Sequence, residues 1–591
     1  MNRRSLAARW FRTTLRAVCA ALMLASGLTV AGQSTQGTQA SSLQGSPRQI
    51  QAWLTAGQWQ RVADALGPLR VRTAEENFDY GTALAHLERW RLADAALAIG
   101  ERQARREERF PLERAGVAFE QKNYARAARE LRRALRLKPD DAYAANFLAS
   151  VYYLEDNLPA AVKEWNRVGE PELAAVRVDP PLRVSPALLD GAFAFAPMTK
   201  LTPKQLADSE ARVRGLGIFQ QHHFDLRRRE DGQFEMVFRA GERNGFGAGW
   251  LERAFLLLRG LPFQQVDPEY DNLRGEAINF RGMLRWDAQK RRVFAEVSGP
   301  LMDSAVRRYN FRIDLRNENW ALRQSFAGPA PVQASLNLRR AVGAATVGSD
   351  ARDRFRWQTG AEISDRELRS VADAGEVLSP SLLATGWELK QTASVRSTLV
   401  RMPERRVTLT AGARSQAARL WSRQTPDSAQ GQAQVFEKLE GRIGWHWLPR
   451  AMGSDYETQL TARAGEIFGQ PPFDELFELG LERDNDLPLR GHIGTRDGIK
   501  GSAPLGRRYL LASWETDKIL YSNGLMTATL GPFVDAGRMG GALSVQGWQK
   551  ALVDAGAEAR LRVFGTTLAF SYGKDLRTGN NAFYLRLLPG N

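Results

Sequence analysis

Three short stretches near the C terminus hold the residues best placed to do chemistry. They are Arg490 and Gly491 in LPLRGHIGT (487–495), Glu515 in GRRYLLASWETD (506–517) and Asp535 in GPFVDAGRMG (531–540). If the last two are strands, side chains alternate between faces. Leu510, Ala512 and Trp514 then share one side and Tyr509, Ser513 and Glu515 the other, while Met526, Ala528, Leu530 and Val534 oppose Thr527, Thr529 and Asp535. Both carboxylates fall on the polar face. A guanidinium enclosed with them is costly unless paired, and its planar fork meets a carboxylate with two parallel hydrogen bonds. The chemistry expected is an ionic lock of Arg490 with Glu515 and Asp535. Taken one residue at a time, an arginine on an exposed turn and two ordinary solvated acids would give the same pattern.

Catalytic signatures are missing from the sequence. There is no G-x-S-x-G elbow, no HExxH zinc helix and no P-loop, and the five histidines are spread through different regions. His222 and His223 are adjacent, so on a strand they face opposite ways and cannot easily share a metal. Cys19 is the single cysteine. The expectation is a protein that is not an enzyme, with no cofactor, no metal and no disulfide.

The elements that must position the lock start with export. Residues 1–32 combine arginines 3, 4, 9, 12 and 16, the apolar run from Ala17 to Leu28 and small residues at Ala31 and Gly32, the order of a signal peptide. A net charge of +16 in an exported chain points to anionic lipid headgroups or acidic partners rather than to nucleic acid. Mean hydropathy is −0.39, and no long apolar run follows the signal, which argues against helical membrane spans but not against strands that cross with alternate residues.

From 46 to 170 the chain repeats. Trp59, Trp90, Tyr124 and Leu158 recur at intervals of 31, 34 and 34 residues, and Tyr124, Ala127, Ala128, Leu131, Ala134 and Leu135 have the spacing of a helix hairpin that admits a neighbour. The segment resembles tetratricopeptide repeats, which implies an all-α stack whose concave face docks a periplasmic partner. Prolines 171, 180, 181 and 186 mark a linker over 171–185. In 186–243, GAFAFAP suits a short strand, Thr202 and Pro203 open a helix that stops at Gly215 and Gly217, and two strands follow around Asp231 and Gly232. This part is similar to the second half of a POTRA domain, which implies a small α/β module whose strand edges take up client strands.

Residues 244–591 alternate repeatedly. Leu439, Gly441, Ile443, Trp445 and Trp447 oppose Lys438, Glu440, Arg442 and His446; Phe355, Trp357 and Ile363 oppose Arg356, Gln358 and Glu362; Ala557, Ala559, Leu561 and Val563 oppose Glu558, Arg560 and Arg562. An antiparallel transmembrane β-barrel of about sixteen strands is expected from this length. The three C-terminal stretches resemble the BamA/TamA-like superfamily: Leu489, Arg490 and Gly491 match the tip of the long loop that folds back into the lumen, with His492 where an aromatic residue is usual. The resemblance implies the Arg490, Glu515 and Asp535 pairing, a location in the outer membrane with the N-terminal domains in the periplasm, and insertion or translocation of client β-barrel or secreted proteins. Two alternatives stand beside it: a passive pore or lipid conduit, in which Arg442, Arg560 and Arg562 attract anions, and a membrane-anchored repeat scaffold.

Overall fold

The computed structural model describes residues 46–591, apart from 248, 324–331, 373–379, 424–432, 450–454, 524–525, 543–544 and 589–591. The expected signal segment, 1–32, lies outside the described residues. The chain divides into two compact units between Glu170 and Pro171.

Among its described residues the first unit is helical, in four consecutive hairpins from Pro47–Thr55 to Leu158–Trp165. Trp59, Trp90, Tyr124 and Leu158 are each the first residue of a hairpin's second helix. Two residues before each of them stands a left-handed residue, Gly57, Glu88, Lys122 and Asp156, with φ of 67, 60, 60 and 56°. The same turn is therefore built four times, three times by a residue other than glycine, so its strain must be offset by the packing it allows. That packing is close. A Cβ on Gly81 would meet Leu97 at 2.6 Å, and one on Gly100 would meet Phe110 at 2.4 Å.

Asp79 is buried in this unit, and burial, reinforced by Glu75, raises its pKa from 3.8 to about 7. The folded unit holds this proton between those two values and the unfolded chain does not. Stability from this group is therefore full below the lower value and is lost as pH rises through the upper one. We expect the helical melting midpoint of the protein, followed by circular dichroism, to fall between pH 5 and pH 8, and Asp79→Asn to flatten that dependence.

The second unit starts with a β-α-β-α-β-β module: Glu172–Val178, Pro186–Ala192, Thr199–Lys200, Pro203–Leu216, Phe219–Arg228 and Phe234–Glu242. The expected linker over 171–185 is corrected here, because its ELAAVRV segment is a strand running parallel to Phe234–Glu242. The prolines fall on either side of that strand rather than within it, so nothing interrupts its ladder. The expected strand at GAFAFAP is also absent. Its front closes a helix, and Phe193 and Phe195 instead stack on each other and meet the ring of Phe224 edge-on. The following helix opens as its residues predict, with Thr202 and Gln205 forming a reciprocal cap, Pro203 at the first position and left-handed Gly217 ending it.

The rest is one large antiparallel sheet. Among the described residues fourteen strands of eight or more residues follow one another from Ile278–Trp286 to Asn581–Leu588, joined in sequence order by antiparallel ladders. Their outward side chains are apolar and exposed, among them Ile313, Ile363, Ile443 and Phe570, each more than half accessible. The inward positions carry ion pairs. Among the described residues no helix is long and apolar enough to cross a membrane.

Strand order follows a ring that sets Asn581–Leu588 beside the two-residue segment Gln265–Val266. Among the described residues no register joins these two ends, unlike the successive pairs of the fourteen long strands. Residues 250–258 form a helix, because Trp250, Leu251, Ala254, Phe255, Leu257 and Leu258 recur with helical rather than alternating period. This helix lies near both sides of the junction: Arg259 at its C-cap pairs with Glu269 and reaches Thr566, the first residue of the next-to-last strand Thr566–Asp575, and Phe255 lies 5.8 Å from Phe564 in the turn before it.

The small module docks on the short turns of the sheet. Asp208 accepts from the Asp353 N–H (2.9 Å), Arg212 donates to the Ala351 carbonyl (3.0 Å), and Ser185 N–H donates to Gly275 (2.8 Å).

Candidate functional site: the loop in the lumen

Residues 470–507 leave the strand Tyr456–Gly469 and fold back along the inner face of the sheet before Arg508–Ser522 resumes it. Two kinds of contact hold this loop. Leu476, Phe477, Leu479, Leu487 and Leu489 join a buried cluster with wall residues Leu336, Leu338, Phe436, Tyr509, Leu511 and Met539. The acids of the loop pair with bases of the wall: Asp474 with Arg340 (3.2 Å), Glu475 with Lys390 (2.7 Å), Glu482 with Lys290 (2.7 Å), Asp484 with Arg285 and Arg292 (2.9 and 2.6 Å) and Asp486 with Arg463 (3.0 Å). Buried charges persist only when paired, so these contacts, apart from that of the exposed Asp486, fix the loop in one register.

At the tip Arg490 is 3% exposed. Its Nε and Nη2 donate to the two oxygens of Asp535 at 2.8 and 2.9 Å, Nη1 donates to Glu515 at 2.9 Å, and its own N–H donates to Asp535 at 3.1 Å. The guanidinium carbon lies 3.7 Å from the centre of the Phe533 ring. The fork is thus spent on carboxylates while its face rests on an aromatic π cloud, the two modes in which Arg differs most from Lys. The sequence-predicted Arg490, Glu515 and Asp535 are brought together. Gly491 lies next to them but acts on another group: its N–H donates to Asp554. A Cβ there would fall 2.5 Å from the Asp554 carboxyl carbon, so the residue must be glycine for the tip to close on the wall.

Three further contributors were not assigned to the lock from the sequence. Glu558 stands 3.7 Å from Arg490, Arg560 shares Glu515 with it (2.9 Å), and Gly573 lets the loop approach, since a Cβ there would lie 2.2 Å from the Arg490 carbonyl oxygen. For Glu558 and Arg560 the signal was the inward parity of their strand. Asp554 has the same parity.

His492 does polar work. Its Nδ1 is 3.1 Å from Asp554 and its Nε2 3.6 Å from Asp575. These three are the group closest to a metal-binding arrangement among the described residues. Each ring nitrogen faces its own carboxylate, and one ligand atom from each of the three lies within 4.8 Å of the others. His492→Phe would leave two buried carboxylates without this partner. We expect it to cost about 1–3 kcal/mol, read as a lower denaturant midpoint, even though it restores the ring usual in the resembled motif.

No protein-family model matches the chain, and no curated protein matches it. Among solved structures it is similar to a crystal structure of BamA from Haemophilus ducreyi lacking POTRA domains 1-3, at 12% identity and a TM-score of 0.38, covering 70% of this chain and 83% of that one. It is also similar to CdiB from Escherichia coli, at 13% identity and a TM-score of 0.43, covering 71% and 74%. A crystal structure of MamA matches 20% of this chain and 72% of its own length, at 15% identity and a TM-score of 0.20.

Proposed function

We propose that the protein is an exported outer-membrane β-barrel of the BamA/TamA-like kind that inserts client β-barrels into the outer membrane or translocates secreted proteins across it. The observation that carries this reading is the two-sided sheet, with exposed apolar side chains outside and a lumen filled by a loop held through Arg490. A lipid-facing surface needs the first, and a plug that excludes free diffusion needs the second. In this reading residues 1–32 direct export, the repeats of 46–170 recruit a periplasmic partner, and the POTRA-like module below the barrel receives clients on its strand edges. The seam between Asn581–Leu588 and the first strands, where helix Trp250–Leu258 stands, is the place at which a client strand would enter the wall.

Depletion of the protein followed by quantitative proteomics of outer membrane and medium tests this. Loss of particular barrel proteins supports insertion, loss of secreted proteins supports translocation, and unchanged proteomes remove the proposal.

A further inference from the structure

The inner face carries a second constellation, apart from Arg490 and its carboxylates. Between the loop and the docked module lies a cavity of about 1010 Å³, lined by eleven arginines and five acids. Strand register shows how some of them are arranged. Arg356 is paired directly with Arg396, Arg396 with Gly412, Gly412 with Arg442, and Arg442 with Arg463. One row across five neighbouring strands thus holds four guanidinium side chains with a glycine in the middle. Two of its cross-strand neighbours are like-charge pairs, an arrangement that destabilises a sheet unless something neutralises it.

The outer members have acids. Arg356 lies within 4.0 Å of Asp350 and Asp353, and Arg463 is paired with Asp486. The inner members, Arg396 and Arg442, make no ion pair among the described residues, nor does Arg414, which lies two residues along the strand from Gly412. Arg396 and Arg442 flank the glycine with Cα atoms about 10 Å apart, twice the spacing of neighbouring strands. Gly412 leaves the space between them open: a Cβ there would meet only backbone and the stem of Arg396, at 3.2 Å or more.

We infer that the Gly412 slot, flanked by Arg396 and Arg442 with Arg414 beside it, binds a phosphate group. A carboxylate offers two oxygens and satisfies one fork, whereas a tetrahedral phosphate offers enough oxygens for three. The phosphate can come from a free phosphate compound or from a lipid headgroup drawn into the lumen. The slot requires no client-handling activity, so it stands or falls separately from the proposed function.

The test is calorimetric titration of the purified full-length protein with sodium pyrophosphate and, separately, with dihexanoyl phosphatidic acid. Binding of both at similar strength identifies a free-phosphate site, and binding of the lipid alone a headgroup site; either supports the slot. The double variant Arg396→Gln/Arg442→Gln is expected to weaken binding at least tenfold. Gly412→Val keeps every charge and fills the slot, and is expected to weaken it as much. Heat-modifiable migration in gels confirms that both variants are folded. If the wild-type protein binds neither probe, or if Gly412→Val binds as well as wild type, the proposal is wrong, the second outcome meaning diffuse attraction by the basic lumen.

Discussion

Arg490→Ala is expected to destabilise the barrel and its loop more than any other single substitution of the loop. The change deletes three side-chain hydrogen bonds to carboxylates and the contact with Phe533, and leaves Asp535, which is fully buried, without its cation. Breaking a buried ion pair from one side costs about 3–5 kcal/mol. The loss should appear as a lower denaturant midpoint for the heat-modifiable form and as protease cleavage within 470–507. Arg490→Lys keeps the charge but not the fork, so it should fall between wild type and alanine. Asp535→Asn in the Arg490→Ala background should cost less than in wild type, because the two groups spend their energy on each other.

Gly491→Val and Gly573→Val are expected to have the next largest effects, and to act by sterics alone. At Gly491 the added carbon would sit 2.5 Å from Asp554, so the acid must swing away from both Gly491 and His492. At Gly573 it would sit 2.2 Å from the Arg490 carbonyl oxygen, which is backbone and can yield only if the whole tip withdraws. Overpacking costs about 1–3 kcal/mol, and for Gly573→Val we expect the same new protease sites as for Arg490→Ala, although no charge has changed. Cleavage confined to other loops would show that the tip does not rest on that wall.

Much of this site was legible in the sequence because strand parity is a local property. Alternation alone sends Glu515 and Asp535 to one face, and the structure brings both to Arg490. The same parity places Lys438, Glu362 and Arg560 inward, where each has a polar partner. Partner choice was not legible, since it depends on which strand lies opposite the returning loop. Asp484 meets Arg285 and Arg292 nearly two hundred residues away; the only trace in the sequence is a loop rich in acids facing strands rich in bases. The two misread segments share a cause. Prolines around 172–178 suggested a linker though they flank a strand, and apolar 250–258 was assigned to the barrel though its period is that of a helix.

Hydrogen exchange of the intact protein in lipid nanodiscs, followed by mass spectrometry of peptides spanning 487–495, tests the central claim most directly. A tip bolted into the lumen places the Arg490 and Gly491 N–H groups on buried carboxylates. The account predicts protection there comparable to that of the wall strand Met526–Ala542, lost in Arg490→Ala. Exchange of 487–495 within seconds in the wild-type protein, with the strands still protected, would contradict it.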